Sequence, residues 1–93
     1  MPRYLIESPH TAEECLHVLD WLMAQGSLLL SKYEFTCGDD DHTGYVMIDA
    51  PTKTDARHSV PPSIQSKARI VELHQYTADQ IRSFYGNSLE ELR

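Results

Sequence analysis

The sequence predicts a small α+β domain with the element order β-α-β-β-α-β and a closing helix. Three observations carry that prediction. Short strand-like runs alternate with stretches of helical periodicity, the first and last helical stretches each open on a capping-box pattern, and a Gly- and Asp-rich octapeptide separates two of the strand-like runs. At 93 residues the chain has the size of one domain, set here at residues 1–86, with a polar tail over 87–93. A domain of this size buries only about two-thirds of the surface its unfolded chain exposes, so a second copy would help to complete its core. A homodimer or higher homo-oligomer is therefore expected.

The elements follow in order. Arg3 to Glu7 places Tyr4, Leu5 and Ile6 side by side and is closed by Ser8-Pro9, which reads as a strand ending in a turn. In Thr11-Ala12-Glu13-Glu14, Thr11 is suited to accept from the backbone of Glu14 while the Glu14 carboxylate reaches back to the first amide. Ala12, Cys15, Leu16, Leu19, Leu22 and Met23 then recur at three- and four-residue spacing up to Gly26, which stands where a helix ends. Leu28 to Thr36 reads as a second strand, with Tyr33 and Phe35 on one face and Lys32, Glu34 and Thr36 on the other. Tyr45-Val46-Met47-Ile48 is apolar throughout, as expected of a central strand covered on both faces. Between these two runs, Cys37-Gly38-Asp39-Asp40-Asp41-His42-Thr43-Gly44 makes a hairpin.

A weaker second helix starts at Ala50-Pro51-Thr52 and must stop before Pro61-Pro62, because proline disfavours helix in its predecessor. Lys67 to Leu73 is the fourth strand. Thr77-Ala78-Asp79-Gln80 repeats the capping-box signature and opens a last helix carrying Ile81, Phe84 and Tyr85. The tail over 87–93 includes Leu89 and Leu92.

This order is the ferredoxin-like split βαβ arrangement, an antiparallel four-stranded sheet in which the first and third strands lie side by side at the centre. The end of the first strand then meets the start of the third. His10, Cys15 and the segment from Cys37 to His42 consequently fall toward one end of the sheet.

Charge and composition narrow the partners. The chain carries 14 acidic and 8 basic side chains, a formal charge of −6, with no basic stripe, which argues against nucleic acid and anionic lipid as partners. The first residues lack the apolar core of a signal peptide, and no run approaches the roughly 20 apolar residues that span a bilayer, so a soluble, cytoplasmic protein is expected. In that compartment Cys15 and Cys37 are expected as free thiols.

The β-α-β-β-α-β chain, its acidic hairpin with Asp41-His42-Thr43-Gly44, and the Pro61-Pro62 break before Ala68-Arg69-Ile70-Val71-Glu72-Leu73 together resemble small bacterial proteins of the dimeric α+β barrel superfamily, of the muconolactone isomerase-like kind. The resemblance spans most of residues 2–85. It implies two copies packed sheet to sheet into a barrel, and a small organic ligand held in a cleft between each sheet and its helices. It transfers no catalytic residue and names no chemistry.

The polar cluster offers groups for three chemistries. As a calcium loop, Asp39, Asp41, Thr43 and Gly44 match the first, third, fifth and sixth positions of an EF-hand, but Ala50 stands where the closing glutamate belongs. As a transition-metal site, His10, His42 and Cys37, completed by Cys15 or an aspartate, would suit zinc or nickel, since thiolate and imidazole are their usual ligands. Against it stands a plainer reading, with Cys15 in the core, Cys37 at a strand end and both histidines on the surface. As an acid–base site, His10 or His42 would supply a base of near-neutral pKa and Glu7 or Asp41 a partner carboxyl, with Tyr4, Tyr33, Tyr45 and Trp21 lining the ligand pocket. The aromatic residues are equally suited to core and interface. The expectation is a domain that binds a small organic molecule, with isomerase-like chemistry needing no cofactor as its enzymatic form. A non-catalytic metal- or ligand-binding accessory protein using His10 and His42, and a pure association domain, are the alternatives.

Overall fold

Strand β1 (Arg3–Pro9) alternates strictly, with Tyr4, Ile6 and Ser8 buried and the intervening residues facing the other way. In the computed structural model, which describes residues 1–85, it is one of the two inner strands of a four-stranded antiparallel sheet. The partners of β1 are β3 (Thr43–Asp49) on one side and β4 (Arg69–Leu73) on the other, while β2 (Glu34–Phe35) pairs with the outer edge of β3. The strand order β2-β3-β1-β4 makes this an α+β chain with an open sheet, consistent with the ferredoxin-like arrangement.

Helix α1 (Cys15–Ala24) begins after the turn over Thr11 to Glu14, where both reciprocal bonds of the capping box are made. The Thr11 amide donates to Glu14 Oε1 at 2.9 Å, and the Glu14 amide donates to Thr11 Oγ1 at 3.1 Å. The Lys67 ammonium, 2.6 Å from the same Glu14 oxygen, holds that carboxyl down to about 2, helped by the Thr11 amide. The start of α1 is thereby tied to the residues just before β4. Only one stripe of the helix is buried: Val18 and Leu22 are sealed, while Leu16 is 74% exposed and Met23 also faces solvent.

The run from Leu28 to Thr36 corrects the sequence reading. Most of it is a second short helix, α2 (Ser27–Lys32), and the strand is confined to Glu34 and Phe35. Gly26 has φ of 111°, a conformation that suits glycine and lets the chain turn out of α1 and begin helix again at once. Three leucines unbranched at Cβ favour that choice, and Ser31 Oγ closes the turn by donating to the Leu28 carbonyl at 2.7 Å. Leu29 and Leu30 pack on the core, a helical spacing rather than the alternation of a strand.

A second correction concerns β3. Its Val46 is buried and Ile48 packs on the core, but Met47 on the opposite face is 57% exposed, so within one chain the strand is covered on one side only. Helix α3 (Lys53–Arg57) is one short turn and a half, capped by Thr52, whose Oγ1 accepts from the Asp55 amide at 3.1 Å. A 3-10 segment (Pro62–Lys67) then leads into β4. Ala56, Val60 and Ile64 from this stretch join Tyr4, Ile6, Val18, Leu22, Tyr33, Val46 and Ile70 in one core on the helix side of the sheet.

Helix α4 (Ala78–Tyr85) starts at the expected capping box, with Thr77 and Gln80 bonded reciprocally at 2.8 and 3.2 Å. Every residue from Glu72 to Phe84 is exposed, including Tyr76, Ile81 and Phe84. The polar tail over 87–93 lies outside the described residues. None of the helices is long and apolar enough to cross a membrane among the described residues.

The burial pattern of α1 separates two leucines that the sequence spacing treats alike. Leu22→Ala should cost about 2–5 kcal/mol by urea denaturation, the range for removing a sealed core leucine. Leu16→Ala should stay within about 0.5 kcal/mol of the parent.

Candidate metal centre

Strand pairing delivers the two histidines. The β1–β3 register ends at Pro9 opposite Thr43, and the next residues continue it, with the His10 amide donating to the His42 carbonyl at 2.9 Å. Their rings meet edge to face with centroids 5.8 Å apart. Cys15 arrives from the first position of α1, and Cys37 from the turn after β2. That turn is tied by the Thr36 amide to the Thr43 carbonyl, by the Asp39 amide to the Thr36 carbonyl, and by the Thr36 hydroxyl to Asp41.

The four side chains converge. One ligand atom from each of His10, Cys15, Cys37 and His42 lies within 4.8 Å of all the others. Cys15 Sγ and Cys37 Sγ are 3.6 Å apart, and Cys37 Sγ is 3.4 Å from His10 Nε2. His10 is buried and the other three are half-buried, so the cluster sits at the margin of the core. Partial burial pushes the Cys37 thiol up from its ordinary value, with the adjoining Cys15 thiol adding to the effect.

The histidine hydrogen bonds indicate which nitrogens are free. His10 Nδ1 is 3.2 Å from the Ser8 carbonyl, an oxygen that can only accept, so the proton belongs on Nδ1 and the lone pair on Nε2 points at the thiols. A backbone carbonyl behind the far nitrogen is the usual way a metal-binding imidazole is oriented. Nδ1 of His42 is buried with no hydrogen-bond partner among the described residues. Such a nitrogen is left uncompensated unless something else satisfies it.

The remaining expected site residues are dispersed. The side chain of Glu7 lies on the opposite face of the sheet, 3.5 Å from Arg69. Asp41 accepts from the hydroxyls of Thr36 at 3.0 Å and Thr43 at 3.3 Å, and among the described residues no hydrogen bond or ion pair joins a carboxylate to His10 or His42. Tyr4 is a core residue on the helix side, and Trp21 packs at the edge of that core. Tyr33 is buried, donates to the Ser59 carbonyl at 2.6 Å, and has its phenol pushed up by burial. Tyr45 alone of the four faces a cleft, about 190 Å³ on the open side of the sheet, with Leu5, Lys32, Glu34 and Met47. A larger depression of about 360 Å³ lies at the end of the sheet beside Arg3, Asp49 and Leu73.

Two supporting residues escaped the sequence reading. Ser8 supplies the carbonyl that orients His10, and its buried hydroxyl donates to the Gly44 carbonyl at 3.2 Å. Gly44 is the cross-strand partner of Ser8, and a Cβ there would stand 2.9 Å from Ser8 Oγ and 3.1 Å from the Phe35 ring. Extending the alternation of Tyr4 and Ile6 by one more step places Ser8 on the buried face, whereas Ser8-Pro9 reads as a turn in the sequence. Comparison of the chain with protein-family models, curated proteins and solved structures returns no match.

Gly44 gives a test of this packing. Gly44→Ala must displace Ser8 or Phe35 and should destabilise the fold by about 1–3 kcal/mol in denaturant titration, as overpacking of a filled core does. An unchanged midpoint would mean that the two side chains give way freely.

Proposed function

We propose that the protein is a non-catalytic metal-binding accessory domain in which His10, Cys15, Cys37 and His42 hold one zinc-type ion. The observation that carries this reading is the spacing of the ligand atoms. A tetrahedral zinc ion with bonds of about 2.3 Å to sulfur and about 2.05 Å to nitrogen requires S···S edges of about 3.8 Å and S···N edges of about 3.6 Å. The S···S separation of 3.6 Å and the S···N separation of 3.4 Å lie close to those edges. Two thiolates with two imidazoles favour zinc over nickel, which prefers square-planar or tetragonal sets.

Four protein ligands fill a tetrahedral shell and leave no position for water or substrate, which is the pattern of a structural site. The ion would tie the end of β1, the start of α1 and the β2–β3 loop to one point. Cofactor-free acid–base chemistry on a small organic molecule has less behind it. His10 Nε2 lies 3.4 Å from Cys37 Sγ, His42 belongs to the same cluster, Glu7 and Asp41 are engaged elsewhere, and the space between sheet and helices is occupied by Ile6, Val18, Leu22, Val46 and Ile64.

The same domain is proposed to self-associate through the open face of its sheet, in the manner of a dimeric α+β barrel. Leu5, Met47 and Val71 lie side by side across three strands on that face, next to Leu73, and among the described residues no element covers Met47. Exposed apolar area of this kind on a small domain favours a second copy.

Elemental analysis of untagged protein should find about one zinc per chain, and His42→Ala should bring the content to background. Protein that is metal-free as purified and takes up no zinc on titration would sink the reading. For association, light scattering should give a dimer mass at micromolar concentration, and Met47→Asp should shift it toward the monomer. A parent protein that is already monomeric would remove the dimer.

A further inference from the structure

The two thiols of the cluster, spaced as zinc ligands, also have a second chemistry. Cys15 and Cys37 are 22 residues apart in sequence, on separate elements, with Sγ atoms 3.6 Å from each other. A disulfide requires about 2.05 Å, so the sulfurs need to approach by only about 1.5 Å. Both residues are half-buried rather than sealed. Each is carried on a segment anchored independently of the thiol. The turn before Cys15 is held by the Thr11–Glu14 capping bonds and by Lys67, and the Cys37 loop by the Thr36–Thr43 and Thr36–Asp41 bonds.

We propose that the centre is a peroxide-responsive release site, in which oxidation joins Cys15 to Cys37 and discharges the metal ion. The inference rests on the metal reading above. One thiolate sulfur attacks an oxygen of hydrogen peroxide, breaking the O–O bond to give a sulfenic acid and hydroxide. The second thiolate attacks that sulfenic sulfur, forming the S–S bond and expelling a second hydroxide. Two protons from solvent turn the two hydroxides into water. The sulfurs lose two electrons, the peroxide gains them, and zinc leaves as the divalent ion it was. Two of the four ligands are consumed, and His10 and His42 are all that remain of the set. A dithiol reductant reverses the step by restoring both thiols.

The test uses the full-length, reduced, zinc-loaded protein. Zinc content is measured first, then hydrogen peroxide is added while released zinc is followed with a chromogenic chelator and the thiols are mapped by alkylation and peptide mass spectrometry. The expected result is about one zinc released for each Cys15–Cys37 disulfide formed, with rebinding after dithiol treatment. Zinc that is present at the outset but stays bound, or that leaves while the cysteines become sulfinic acids or an interchain disulfide, overturns the release proposal and leaves the metal reading standing. Protein without zinc before peroxide is added overturns the metal reading itself, and the release proposal with it.

Discussion

The antiparallel ladder between β1 and β3 is the constraint on which the rest of the structure depends. Seven residue pairs run from Arg3 opposite Asp49 to Pro9 opposite Thr43, and the His10 amide bonded to the His42 carbonyl extends the pairing beyond both strands. Because side chains alternate along a strand, this register decides two matters together. It turns Tyr4, Ile6, Val46 and Ile48 toward the helices, and it sets His10 beside His42 at the end of the ladder. A slip of one residue would move the core residues of one strand to the open face and separate the imidazoles.

The core that this ladder supports is one-sided. Val18 and Leu22 from α1, together with Ala56, Val60 and Ile64 from the second crossover, cover one face of the sheet, while Leu5, Met47 and Val71 on the other are left to solvent or to a second copy. A small domain with one face of its sheet uncovered among the described residues has few apolar contacts to spare. The cluster of His10, Cys15, Cys37 and His42 gathers the end of β1, the start of α1 and the β2–β3 loop, and the Lys67–Glu14 pair adds an exposed contact between the start of α1 and the approach to β4.

The proposed metal site and the proposed release would draw on the same two sulfur atoms, since thiolates suit a zinc-type ion and are the groups that peroxide attacks. Among the described residues neither His10 nor His42 is bonded to a carboxylate, and Asp41 of the acidic hairpin accepts from the hydroxyls of Thr36 and Thr43. The aspartates of the loop shape the turn, with Asp40 at a positive φ of 56°.

Features that depend on a few neighbouring residues are legible in the chain itself. Both capping boxes, Thr11 with Glu14 and Thr77 with Gln80, form as the spacing predicts, because each is closed by bonds over three residues. The inner strands and their order were legible from apolar runs and chain topology, and topology alone sent His10, Cys15, Cys37 and His42 toward one end of the sheet. The segment from Leu28 to Lys32 was not legible, since a run of leucines suits helix or strand and its neighbours in space decided between them. The tertiary structure settled which of those residues meet. It drew the side chains of His10, Cys15, Cys37 and His42 to within 4.8 Å, set His10 Nε2 against Cys37 Sγ with the Ser8 carbonyl behind the ring, and left Glu7 on the far face. The reason is physical: a ligand set without a close-spaced pair exists only once strand register and helix packing have fixed its parts.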